Sequence, residues 1–193
     1  SPVLTPTFSR TPTSCCIAGT FTPTSTNLVN TDPPASTVKI VFIHHSVGCN
    51  WMSTGNGNLG SALNTNHYFL SDAYYNWSDP PSPPAPYSVM GDYTDTGHWP
   101  SWFTDNVMPY VYAESSAACY TNSITDPTGD NEIVMFKSCY PNSDVGASLT
   151  DEQTVYNSLL PYFAAHSEKM FVLCVPPPQI TISYPAVTRE LAN

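Results

Sequence analysis

Three short and nearly continuous apolar segments constrain the fold of this chain more than any other feature. They are VKIVFI at 38–43, EIVMFK at 132–137 and MFVLCV at 170–175, and each ends abruptly in polar residues or prolines. Strands that are covered on both faces have such uninterrupted apolar sequences. Because helix-like segments separate the three strands, we predict an α/β fold, a three-layer open sheet of mainly parallel strands flanked by helices.

Three helices are predicted between and beside these strands. One carries Leu59, Ala62 and Leu63, one covers about 101–112, and one begins with Thr150 as its N-cap. A sheet of only three strands leaves long unpaired edges, so the sheet is predicted to be incomplete within this chain. Residues beyond Asn193 or a partner subunit would complete it.

The N-terminal 36 residues differ in composition from the rest of the chain. They are rich in Thr and Pro, which is typical of an extended and often O-glycosylated arm. We therefore divide the chain into an arm at 1–36 and an α/β domain at 37–193. The stretch at 17–28 is expected to cover the open edge of the sheet, in its own chain or in a neighbouring copy.

Composition excludes several classes of partner. Fifteen acidic residues against five basic ones give a net charge of −10, which is unfavourable for nucleic acid and anionic membranes. No apolar run is long enough to span a bilayer. Six cysteines, few lysines and the Thr/Pro-rich N-terminus favour a secreted, extracellular protein. The sequon Asn76-Trp77-Ser78 is either a glycosylation site or part of an ordinary loop.

Polar side chains follow two of the predicted strands. The first strand runs into His44, His45 and Ser46, and the second runs into FKSCYPNSD, which contains Asn142. The carboxyl ends of parallel strands meet at one edge of a sheet, where such folds bind ligands. A serine at the start of a helix, with an asparagine as oxyanion donor, predicts an acyl-transfer site formed by Ser46 and Asn142.

These segments resemble motifs of the SGNH, or GDSL-like, hydrolase superfamily of secreted esterases. The stretch VFIHHSVG stands where that superfamily has strand-Gly-Asp-Ser, and EIVMFKSCYPNS stands where it has strand-Gly-x-Asn-Asp. The chain is most similar to an extracellular branch with His-His-Ser, in which GDYTDTGHW also has a counterpart. The resemblance implies a flavodoxin-like sheet, Ser46 as nucleophile, Asn142 as oxyanion donor, and Gly91 or Gly60 as a backbone donor.

The resemblance also implies a general base, which the superfamily takes from an Asp-x-x-His block near the C-terminus. No such block follows PPPQITISY here. A serine hydroxyl is a weak nucleophile without a base. Among the histidines His98 is our choice for this role, ahead of His45, His67 and His166. A disulfide between Cys119 and Cys139 is a further implication, and the partners of Cys15, Cys16, Cys49 and Cys174 stay open.

Two other kinds of site were weighed on the residues alone. The acidic residues Asp92, Asp95, Asp126, Asp130 and Glu132 supply oxygen ligands for calcium, but their spacing does not match an EF-hand, and we predict neither a metal nor another cofactor. The aromatic residues could stack on sugar rings, although core packing accounts for most aromatic side chains.

The sequence therefore predicts a secreted serine esterase that acts on acyl groups of an extracellular polysaccharide or on a small ester. The alternative is an inactive structural subunit that polymerises through its N-terminal arm and its open sheet edge.

Overall fold

The computed structural model describes residues 30–77, 87–138 and 149–174. The chain divides into one unit at 1–32 and a second at 33–193, and the helices and strands below all belong to the second. The predicted arm at 1–36 lies almost wholly outside the described residues, and so does its predicted contact with a sheet edge.

Four parallel strands form one open sheet in the order β2-β1-β3-β4. The predicted α/β fold is confirmed. The strands are β1 (Val38–Ile43), β2 (Tyr68–Ala73), β3 (Ile133–Lys137) and β4 (Met170–Cys174).

Helices cover both faces of the sheet. The predicted helix at 101–112 is in fact two short helices, because Phe103 leaves helical geometry with φ −81° and ψ 68°. The second helix begins at Met108, with Pro109 in its first turn. Among the described helices, none is long and apolar enough to cross a membrane. The helices are α1 (Val47–Met52), α2 (Leu59–Thr65), α3 (Trp99–Trp102), α4 (Met108–Ala113) and α5 (Leu149–Ala165), with 3₁₀ turns at Tyr87–Asp92 and Thr96–His98.

Alternating side chains of β1 divide the core into two layers. Val41 and Ile43 pack with the residues of α3, α4 and α5 on one face of the sheet. Ile40 and Phe42 pack on the other face with α1 and α2. Since successive strand residues point to opposite faces, an uninterrupted apolar strand requires this three-layer arrangement.

Strand β2 was not predicted, because two polar residues interrupt its apolar pattern. Ser71 and Asp72 are both buried within it. The Ser71 hydroxyl donates to Asn131 Oδ1 at 3.1 Å, and the Asp72 carboxylate accepts the amide N–H groups of Ala118 and Cys119 at 2.9 and 3.2 Å. Buried polar groups that find such partners are tolerated inside a sheet.

The outer edge of β2 is covered by a loop of the same chain. The Asn122 side chain pairs with β2 as a strand would, accepting from the Leu70 amide at 2.9 Å and donating to the Leu70 carbonyl at 2.7 Å. The Asp72 amide donates to the Ser116 carbonyl at 2.8 Å. Loop 116–122 thereby satisfies backbone groups that an open edge would offer to another chain.

A disulfide joins Cys119 to Cys49, so the predicted pairing of Cys119 with Cys139 is wrong. The topology explains the correction. Cys119 lies in the loop that borders β2, whereas β3, which precedes Cys139 in the sequence, lies on the other side of β1. Cys139 itself is outside the described residues. Cys49 lies in α1, with its Cα 5.1 Å from the Cα of Cys119, which suits a disulfide. Cys174 is not in a disulfide.

We predict that proteolysis under non-reducing conditions releases a peptide pair linked through Cys49 and Cys119. Because this bond closes a loop with a sequence separation of 70, Cys49→Ser should lower the free energy of unfolding in urea by about 2–4 kcal/mol. Cys174→Ser is the matched control and should cost about 1 kcal/mol or less. A peptide pair linked through Cys119 and Cys139 would contradict the topology.

Candidate functional site

The carboxyl edge of the sheet collects the polar residues that follow β1, β2 and β3. Strands β1 and β3 are parallel neighbours, with Ile43 opposite Phe136, so Ser46 and Ser138 leave the sheet at the same edge. Asn142 lies outside the described residues. Its convergence with Ser46 therefore stays a prediction.

Ser46 occupies a backbone conformation that side chains rarely adopt. Its φ is 50° and its ψ is −112°, in the turn between β1 and α1. Ordinary left-handed residues have a positive ψ, so this turn is strained by about 1–3 kcal/mol. The side chain is exposed. The Ser46 amide N–H donates no hydrogen bond to the described residues.

His44, the first residue after β1, packs against the turn and the start of α1. The imidazole is fully buried, and its Nε2 lies 3.6 Å from Asp72 Oδ2. Burial lowers the pKa of His44, although the Asp72 carboxylate opposes this shift. Gly48 in α1 lies so close that a Cβ there would fall 2.5 Å from His44 Cγ. The imidazole thus fixes the approach of α1 to the sheet, since only glycine fits.

His45 lies on the other side of the turn and is also largely buried. Its ring stacks on Tyr75 with 4.8 Å between centroids. Burial lowers the pKa of His45, while the nearby Asp95 carboxylate raises it. The Gly91 carbonyl also faces this ring.

The turn at 94–98 lies over the same edge. The Thr96 amide donates to Ser138 Oγ at 2.9 Å, which ties this turn to the tip of β3, and Asp95 lies close enough to His45 to affect its charge. Asp95 and His98 have the Asp-x-x-His spacing that the sequence lacks near its C-terminus. No described contact joins His98 to Ser46.

His98 is held in one orientation by its own turn. Its Nδ1 accepts the Asp95 amide N–H at 3.2 Å, as part of a capping box. The neutral ring then carries its proton on Nε2. To accept a proton from a serine through Nε2, the ring must give up this bond and bear its proton on Nδ1. The role of His98 as a base stays a prediction.

Two of the other candidate histidines are at the opposite edge. His67 directly precedes β2, and His166 follows α5 just before β4. A strand of six residues spans about 20 Å, so neither is near Ser46. His67 Nδ1 pairs with the Pro34 carbonyl at 2.8 Å, and His166 Nε2 lies 3.3 Å from Asp105.

The two glycines proposed as backbone donors differ in position. Gly91 lies beside His45, and its Cα is packed directly against the Tyr74 carbonyl. Gly60 is in α2 and packs against the ring of Tyr120. Gly91 is therefore the better placed of the two.

Across the described ranges, one group of three metal-ligating side chains converges, namely His44, Asp72 and Cys119, within 4.8 Å of one another. The Cys119 sulfur is bonded to Cys49, so it is not a thiolate and only two donors remain. Two of the five acidic residues considered as calcium ligands are instead paired with lysines. Asp126 lies 3.2 Å from the Lys39 ammonium, and Asp130 lies 3.5 Å from that of Lys169.

Sequence reasoning did not place two acidic residues, Asp72 and Asp95, at this edge. Asp72 was hidden in a strand whose pattern it breaks. Asp95 and His98 form an Asp-x-x-His pair in the sequence, but the superfamily has this pair near its C-terminus, so the pair at 95–98 was not recognised. Most tryptophans belong to the core, as expected, since Trp77, Trp99 and Trp102 are buried.

No family model, no curated protein and no solved structure matches this chain.

We predict that Ser46→Gly is more stable than Ser46→Ala by about 1 kcal/mol, because only glycine adopts φ 50° and ψ −112° without strain. Urea unfolding of both variants measures the difference. Ser53, with φ −67° and ψ 142°, is the matched control, where glycine should be about 0.5–1 kcal/mol less stable than alanine. A loss of stability with glycine at both positions would show that Ser46 is not strained.

Proposed function

We propose that this chain is a secreted serine ester hydrolase of the SGNH type. The observation that carries the proposal is the turn at Ser46, where an exposed serine with a strained backbone follows the central strand β1 at the carboxyl edge of a parallel sheet. Strained backbone conformations cluster at functional sites, and they persist only where the surrounding structure holds them in place.

In this proposal Ser46 Oγ attacks the ester carbonyl and forms an acyl-enzyme. The carbonyl oxygen becomes negatively charged and needs hydrogen-bond donors. The Ser46 amide N–H has no acceptor among the described residues, so it is one such donor. By the resemblance, Asn142 and Gly91 supply the others.

His98 is the proposed general base. It would take the proton of Ser46 as the serine attacks, and return it to the leaving alcohol. Asp95, three residues earlier, would then orient the ring by accepting a hydrogen bond from Nδ1–H. This requires the ring to leave its bond with the Asp95 amide, so the described arrangement is a resting state of the site.

His44 and Asp72 have a positioning role in this proposal. Both are buried beneath the turn and neither is exposed to a substrate. His44 packs against Gly48, and Asp72 binds the amide of Cys119, whose disulfide holds α1. Together they fix the turn on which Ser46 is presented.

Secretion is supported by the Cys49–Cys119 disulfide, because disulfides persist mainly in oxidising compartments. The abundance of Thr and Pro in the first 36 residues agrees with this location. The proposed substrates are acyl esters on an extracellular polysaccharide or small esters.

One observation favours the structural alternative. Loop 116–122 covers the outer edge of β2, whereas no described strand pairs with the outer edge of β4. Met170 at the start of β4 is 61% exposed. An arm from a neighbouring copy could add a strand there and propagate a filament.

The rate of hydrolysis of p-nitrophenyl acetate tests the esterase. We expect Ser46→Ala and His98→Ala each to lower kcat/KM by about 10³-fold or more, because each removes a member of one catalytic unit. His67→Ala, at the opposite edge of the sheet, is the matched control and should change the rate less than about twofold.

Equal rates for the native chain and Ser46→Ala would refute the proposed esterase activity. If the native chain also forms growing particles in light scattering, the structural subunit is the better account.

A further inference from the structure

Two exposed tyrosines stand out on the described surface. Tyr75 is 42% exposed and Tyr93 is 49% exposed. The other exposed large apolar side chains, Leu160 and Met170, belong to α5 and to the amino end of β4. Tyr75 instead comes just after the carboxyl end of β2, and Tyr93 comes directly after the 3₁₀ turn at Tyr87–Asp92.

Each tyrosine packs against one imidazole of the candidate site. The Tyr75 ring is stacked on His45, next to Ser46, with 4.8 Å between centroids and 26° between planes. The Tyr93 ring meets His98 edge-on, with centroids 5.3 Å apart and an angle of 81°. One exposed ring thus packs on the histidine that precedes the proposed nucleophile in the sequence, and the other packs on the proposed base.

Both rings belong to supported segments. Tyr75 also packs on Tyr74, with centroids 4.7 Å apart. The buried indole of Trp102 donates to the Tyr93 carbonyl at 2.6 Å. The residues that follow Tyr75 and precede Tyr93 are joined, since the Asn76 amide donates to the Asp92 carboxylate at 3.4 Å. Supported rings bind with little loss of side-chain entropy.

We propose that Tyr75 and Tyr93 form a platform for the sugar rings of an uncharged, O-acylated polysaccharide, whose acyl group reaches Ser46. The inference rests on the proposed esterase activity, and it selects an uncharged polysaccharide from the substrates proposed above. A pyranose ring has an apolar C–H face and a rim of hydroxyl groups. A tyrosine side chain offers the complementary combination of an apolar ring and a polar hydroxyl.

Charge selects among polysaccharides. The chain has a net charge of −10, and the exposed Asp92, which precedes Tyr93, accepts a hydrogen bond from the amide of Asn76, the residue after Tyr75. A polyanionic glycan would be repelled from this edge. Trp77, Trp99 and Trp102 are buried and Trp51 is half-buried, so Tyr75 and Tyr93 are the most exposed aromatic side chains among the described residues.

Affinity electrophoresis of Ser46→Ala, which keeps the substrate uncleaved, tests the platform. Acetylated glucomannan in the gel should retard this protein, and polygalacturonate should not. Adding Tyr75→Ala or Tyr93→Ala should weaken the affinity by about tenfold, and Tyr→Phe at the same positions should keep it within about threefold, because the ring remains. Tyr68→Ala, at the amino end of β2, is the matched control.

Where an alanine variant unfolds, Tyr→Leu keeps apolar bulk but removes the planar ring, and it should bind as weakly as alanine. Retardation that depends on both rings supports the platform whether or not the native chain cleaves esters. The proposal is overturned if the native chain hydrolyses esters but Ser46→Ala is not retarded. The proposal is also overturned if the Tyr→Ala variants are retarded as strongly as Ser46→Ala alone. The same holds if polygalacturonate retards the protein as strongly as acetylated glucomannan does.

Discussion

The pairing of β1 with a parallel strand on each side is the constraint on which the rest of the structure depends. Because β2 and β3 both run alongside β1, the polar residues after all three strands leave the sheet at one edge. Ser46 and Ser138 both lie at that edge, and Asp72 is buried near the carboxyl end of β2. An antiparallel neighbour would have sent one of these groups to the opposite edge.

Burying polar groups in the core of this fold costs free energy unless each finds a partner. Asn131 shows how the chain meets that cost, since its amide donates to the carbonyls of Val111, Tyr112 and Glu114 and its oxygen accepts from Ser71. The imidazole of His44 is different, because neither ring nitrogen has a hydrogen-bond partner within the described ranges. The fold thus contains an energetically unfavourable buried group two residues before Ser46. Such locally unfavourable features are common at functional sites.

The sequence predicted the elements whose pattern is local and failed where distant residues decide. β1, β3 and β4 are continuous apolar runs, so burial on both faces could be read from them. β2 could not, because Ser71 and Asp72 depend on partners that are distant in the sequence, with separations of 60 for Ser71 and Asn131 and 46 for Asp72 and Ala118. The disulfide partner of Cys119 was predicted wrongly for the same reason, since the partner depends on which strand the loop containing Cys119 borders. Ser46 was identified from its place after β1, but its positive φ was not, because serine seldom adopts it.

The central claim is that the turn at Ser46 presents an activated nucleophile. Reaction of the native chain with a fluorophosphonate tests this directly, because an activated serine oxygen attacks phosphorus and expels fluoride, whereas ordinary surface serines do not react. Peptide mass spectrometry should find one phosphonate per chain, on Ser46, and heat-unfolded protein should carry none. An unmodified Ser46, or an equal distribution of label among surface serines, would contradict the account.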